Sequence, residues 1–118
     1  MVDKESLRPI MRKRHEIKLE LIQALEQTEF LLLSSGNDFW ANKMNCMVRK
    51  MNIHIREVDM NEIKCWYGGM GSLSDTVIIN KNGRVDQIAT EEFRDLIEKI
   101  FRLANEMIDP ERYHEINR

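Results

Sequence analysis

Thr76-Val77-Ile78-Ile79-Asn80-Lys81-Asn82-Gly83-Arg84-Val85 decides whether the fold contains a β-ribbon. Its first four residues are β-branched, the type that suits a pleated, half-buried surface. Asn82-Gly83 lies between apolar stretches, a strong local signal for a hairpin turn. The stretch therefore predicts a two-stranded ribbon over 75–87. Such a ribbon is marginal alone and must pack on other elements.

Those elements read as helices on both sides. Downstream, Thr90 is taken as an N-cap with Glu91 and Glu92 in the first turn. Phe93, Leu96, Ile97, Ile100, Phe101, Ala104, Met107 and Ile108 then follow the helical period, and Asp109-Pro110 stops it. Upstream, a helix over about 58–67 carries Ile63, Trp66 and Tyr67 and ends at Gly68-Gly69. The segment 53–58 fits either a short extended piece or the start of that helix. Another helix opens with Asn37 as N-cap and Asp38 in its first turn, and its stripe is Phe39, Trp40, Met44, Met47, Val48 and Met51. The first helix spans 6–34, with Pro9 suited to an early turn and Gly36 suited to the C′ position. Ile10, Ile17, Leu21, Leu25 and Leu32 make its stripe, which Arg14 and Thr28 interrupt. The fold class that follows is α+β, mostly helical, with about four helices and one hairpin packed on them. It forms a single domain over 1–118, with a polar tail at 111–118.

At 28 residues (6–33), the first helix is about 42 Å long at 1.5 Å per residue. A compact domain of this size has a radius of gyration of only about 13 Å. The helix must kink, overhang the body with its basic start (Arg8, Arg12, Lys13, Arg14), or pair with a second chain.

Composition excludes several classes. The chain has 118 residues, 42% hydrophobic and 32% charged, which is neither disordered nor fibrous. The longest apolar run, 30–33, is far short of the roughly 20 residues needed to span a bilayer. Without a visible signal peptide, a cytoplasmic location is expected. A net charge of −2 weighs against nucleic acid as a partner. Cys46 and Cys65 stand alone and read as reduced and partly buried. With His15, His54 and His114 they make no zinc pattern, so neither metal nor cofactor is expected. The eight methionines read as adaptable core filling.

The unusual segment is Trp66-Tyr67-Gly68-Gly69-Met70-Gly71-Ser72-Leu73-Ser74-Asp75. Three readings compete: a structural turn, an anion-binding nest of backbone N–H groups, and a loop with Ser72 as nucleophile. The turn carries most weight. No G-x-S-x-G, paired base or phosphate-loop context accompanies the glycines. Ser72 and Asp75 are expected to satisfy backbone donors of the turn. Trp40 and Trp66 are core residues first and interface anchors second.

Asn37-Asp38-Phe39-Trp40 at a helix start, followed by Tyr67-Gly68-Gly69-Met70-Gly71-Ser72-x-x-Asp75, resembles a bacterial family of small proteins of unknown function. The resemblance covers roughly 15–108. It implies a small cytoplasmic domain with no assigned catalytic activity, similar in character to immunity proteins that neutralise toxins. The functional expectation is a non-enzymatic protein-binding module, in the form of an immunity-type inhibitor of a cationic bacterial toxin. Eight acids against three bases over 86–111, Asp95 and Glu98 among them, supply a face for such a partner. The alternatives are a small ligand-binding domain or enzyme using Gly68, Gly69, Gly71, Ser72 and Asp75, and a structural homodimer joined through helix 1.

Overall fold

The computed structural model describes residues 4–108, with side chains described from Arg14 onward. Four helices follow in order: α1 (Lys4–Ser34), α2 (Asp38–Ile53), α3 (Glu57–Cys65) and α4 (Gln87–Ile108). One turn of 3₁₀ helix, Leu73–Asp75, lies between α3 and α4. The fold is all-α, not α+β: among the described residues there is no strand, only one antiparallel bridge between Ile79 and Val85.

The local turn at the predicted hairpin does form. Gly83 N–H donates to the Asn80 carbonyl at 3.0 Å and Asn80 N–H to the Arg84 carbonyl at 2.8 Å. The Asn80 side chain accepts from Asn82 N–H and Arg84 N–H, an Asx arrangement that closes the loop without sheet neighbours. The ribbon fails because the helices take its hydrogen bonds. Ile78 N–H donates to Thr90 Oγ1 at 3.0 Å, and Ile79 N–H donates to Ser35 Oγ at 2.9 Å. Asp86 N–H donates to the Ile78 carbonyl at 2.8 Å. With these backbone groups satisfied by Ser35 in the link between α1 and α2, by Thr90 of α4 and by the turn itself, no second strand is required.

Thr90 is therefore not the N-cap of α4. It is buried inside the helix, and the cap is Asp86, whose Oδ1 accepts Ala89 N–H at 3.0 Å. α3 is shorter than expected, ending at Cys65 with Trp66 as its C-cap and Tyr67 outside the helix, because the chain already turns away there ahead of Gly68 and Gly69. The end of α1 and the start of α2 follow the expected local signals at Gly36 and Asn37. Asn37 caps α2 by accepting Trp40 N–H at 3.2 Å. At the end of α1, Asn37 N–H reaches the Leu32 carbonyl and Gly36 N–H the Leu33 carbonyl, a Schellman closure about Gly36. The predicted end of α4 at Asp109-Pro110 and the tail 111–118 lie outside the described residues.

α1 packs against both α2 and α4, and α3 packs against α4. Leu21, Ala24, Leu25 and Leu32 of α1 enter one core with Met44, Met47 and Met51 of α2, Met60 and Ile63 of α3, and Phe93, Ile97, Ile100, Leu103 and Met107 of α4. The methionine filling is seen at Met44, Met47, Met51, Met60 and Met107, but not at Met70, which is fully exposed; the side chains of Met1 and Met11 lie outside the described residues. Thr28, which interrupts the α1 stripe, is buried at no cost in polarity because its hydroxyl donates to the Ala24 carbonyl at 2.7 Å. Phe39 departs from the α2 stripe: it is 59% exposed, because the buried arc of the helix, Trp40, Ala41, Met44, Met47, Val48 and Met51, leaves it to one side. Cys46 and Cys65 are free and exposed rather than partly buried, both lying on outward positions of their helices.

The principal extents are 63 × 25 × 24 Å, so the expected overhang of α1 is real. Its described side chains enter the core only from Ile17 onward, and Arg14, His15 and Glu16 are exposed.

Candidate functional site

The candidate site starts where α3 stops. Trp66 caps the helix, and Gly68, Gly69 and Gly71 follow with φ of 84°, 87° and 76°, values that L side chains rarely adopt. These three glycines let the chain reverse sharply enough for Leu73 N–H to donate back to the Trp66 carbonyl at 2.8 Å. Leu73 is fully buried and pins the far side of the loop to the core. Asp75 completes the closure: its Oδ2 accepts Gly71 N–H at 3.2 Å, and its own N–H donates to the Ser72 carbonyl at 3.1 Å.

These bonds separate the three readings of the loop. The Gly71 amide already holds a carboxylate, that of Asp75, where a nest would offer it to a ligand. Ser72 Oγ is buried and has no hydrogen-bond partner, so no base is in place to activate it among the described residues. The geometry is that of a fixed turn with Met70, fully exposed, at its tip.

Trp66 and Trp40 meet edge to face, ring centroids 6.1 Å apart. Trp66 is 4% exposed and Trp40 9% exposed, so both belong to the core and neither is an exposed anchor. The exposed aromatic is Phe39, 5.2 Å from Trp40, with Lys43 Nζ 5.5 Å above its ring. Its exposure was foreseeable. At about 100° per residue, Trp40, Ala41, Met44, Met47, Val48 and Met51 fall within one arc of α2, and Phe39 lies more than about 90° from the centre of that arc.

Tyr67 ties the loop to α4. Its hydroxyl donates to the Ile97 carbonyl, and its ring meets Phe101 edge-on at 5.0 Å. Burial pushes the Tyr67 phenol well above its ordinary range. Glu98, next in sequence to Ile97, is exposed on α4, as is Asp95. Neither joins an ion pair among the described residues. The structure thus gathers Trp40, Trp66, Gly68, Gly69, Gly71, Ser72 and Asp75 around one end of α3, while Asp95 and Glu98 stand apart on the solvent side of α4.

Another buried acid went unnoticed in the sequence. Asp59, 2% exposed, receives both Arg56 Nε at 3.0 Å and Arg56 Nη2 at 3.1 Å, a two-pronged pair at the start of α3. Its carboxylate raises the Arg56 guanidinium further above its ordinary value.

Residues 33–87 match a protein family described as a domain of unknown function (DUF6966). The matched segment runs from the last turn of α1 to the first residue of α4 and contains every loop residue described above. No curated protein matches the chain, and no solved structure does.

Proposed function

We propose that the protein works by binding another protein, without turnover, and that the rigid turn around Met70 is the centre of contact. One observation carries this reading. A large apolar side chain stands wholly in solvent at the tip of a loop held by Leu73 N–H to the Trp66 carbonyl and by Gly71 N–H to Asp75. A methionine so presented adapts to a partner's surface while its backbone stays fixed, which lowers the ordering cost of association. Phe39 adds a second exposed apolar group from the same matched segment.

The partner in this reading is cationic, met by the exposed Glu91, Glu92, Asp95 and Glu98 of α4. Its particular form is an immunity-type inhibitor acting in the bacterial cytoplasm on a basic toxin. The test is affinity capture with the full chain against the product of the neighbouring gene, repeated with Met70→Asp and with the Asp95→Lys/Glu98→Lys pair. Capture by the natural chain, loss with Met70→Asp, and slower association with the charge-reversed pair at low salt support the reading. Capture unchanged by Met70→Asp refutes it.

A second reading, a homodimer through α1, is favoured by Leu19, Phe30 and Leu33, all more than half exposed, with Phe30 and Leu33 about three and four turns beyond Leu19 along one side of the helix. Sedimentation as a monomer at high micromolar concentration removes it.

A further inference from the structure

A groove of about 520 Å³ lies where the overhanging part of α1, the α2–α3 connection and the end of α4 converge. Arg14, His15 and Lys18 line it from α1, Ile53 from the last position of α2, His54 and Ile55 from the connection that follows, and Met107 from α4. Its volume falls in the range of small-molecule sites, and its lining mixes an apolar floor with a few convergent polar groups.

Arg14 explains why this place is unusual. It sits seven residues before Leu21, two turns away on the same stripe, in a direction that buries apolar side chains further along the helix. Lys18 lies one turn further on, bordering that stripe. Here the core has ended, so a face that would otherwise be apolar carries two cations into the groove. Neither is in an ion pair, and no carboxylate lines the groove, among the described residues. Ile53, 87% exposed, leaves an apolar side chain at the lip beside the two imidazoles.

The geometry points to a binding site for an amphipathic anion: a carboxylate-type head held between Arg14 and Lys18, with an apolar body laid over Ile53, Ile55 and Met107. The guanidinium supplies a forked donor and the ammonium a second charge. The apolar floor adds affinity that a bare anion does not gain. This site is separate from the Met70 turn, and either stands if the other fails.

Octanoate serves as the probe, with inorganic phosphate as an anion lacking the chain and octanol as the chain lacking the charge. The full chain is titrated while the His15 and His54 ring resonances are followed by NMR. Octanoate is expected to shift both in a saturable way, with phosphate and octanol each about tenfold weaker or more. Arg14→Gln/Lys18→Gln is expected to weaken octanoate by at least about tenfold, since even one lost charge-assisted hydrogen bond accounts for that change and the variant removes both cations. Ile53→Gln is expected to weaken octanoate and leave phosphate unchanged. All these positions are at the surface, and an unchanged melting temperature confirms the fold of each variant. The proposal is overturned if neither imidazole responds, if the double variant binds octanoate as well as the natural chain, or if phosphate binds as tightly as octanoate.

Discussion

Thr90 Oγ1 stands 3.0 Å from the Ile78 amide nitrogen and 3.4 Å from the Ile78 carbonyl oxygen, so one hydroxyl on α4 faces both backbone groups of a residue twelve positions earlier. A side chain here does the work of a neighbouring strand. It converts a run of residues suited to a sheet into an extended segment seated on helices.

Replacing Thr90 by Val keeps the shape and removes the acceptor, leaving the Ile78 N–H buried and unpaired. The expected loss is about 1–3 kcal/mol, read from the denaturant midpoint. Thr90→Ser retains the hydroxyl and is expected to recover most of it. A Thr90→Val midpoint equal to that of the natural chain contradicts this role.

Tyr67→Phe removes the bond to the Ile97 carbonyl and is expected to cost about 0.5–1.5 kcal/mol at neutral pH. The same residue imposes an alkaline limit. In the folded state burial raises the phenol's pKa, whereas in the unfolded chain it titrates near its ordinary value of about 10. Above that pH the unfolded state loses a proton that the folded state keeps, so stability is full below it and falls as pH rises. The difference between natural chain and Tyr67→Phe is expected to shrink between about pH 9 and 11. A difference constant over that interval disproves the assignment.

Gly69→Val and Gly71→Val are expected to destabilise by about 1–3 kcal/mol each through backbone strain alone. An added Cβ meets no atom within 4 Å at either position, so no clash contributes. Asn tolerates positive φ, so Gly69→Asn is expected to fall between glycine and valine. Equal melting temperatures for Gly69→Asn and Gly69→Val point to a side-chain effect instead.

Arg56→Ala strips the only ion-pair partner seen for the buried Asp59 among the described residues and is expected to destabilise α3. Removing both charges with Arg56→Ala/Asp59→Leu is expected to be milder than Arg56→Ala alone, since no buried charge is left behind. A double variant that is less stable than the single one reverses this conclusion. Thermal melts of the three proteins decide it.

The junction of α1 and α2 was legible because its signals are local: Asn37 bonds a residue three positions on, and Gly36 closes the turn just before it. The stripe on α4 was legible for the same reason, its period being a property of neighbours. The start of α4 was not, because Thr90, which looks like a cap, is buried against Ile78 and the cap is Asp86. Ile78 was misread because its partner, Thr90, is set by how α4 docks, and no pattern within 76–85 records that. The glycine loop lies between these cases. Its turn character was evident from composition, whereas the exposure of Met70 and the burial of Trp66 depend on which way the loop leaves α3. The groove at Arg14 left one trace in the sequence, a cation on an apolar stripe, with no sign of what stood opposite.

The segment shared with the domain family, 33–87, holds α2 and α3 but nearly none of α1 or α4, the helices against which they pack. The unit of similarity is therefore smaller than the unit of folding. On a ribosome, α2 finds α1 already made, whereas α3 emerges before α4, the helix it packs against, and its Met60 and Ile63 lack that cover until Gln87–Ile108 has cleared the exit tunnel. For that interval the nascent chain displays an apolar surface that the finished protein hides.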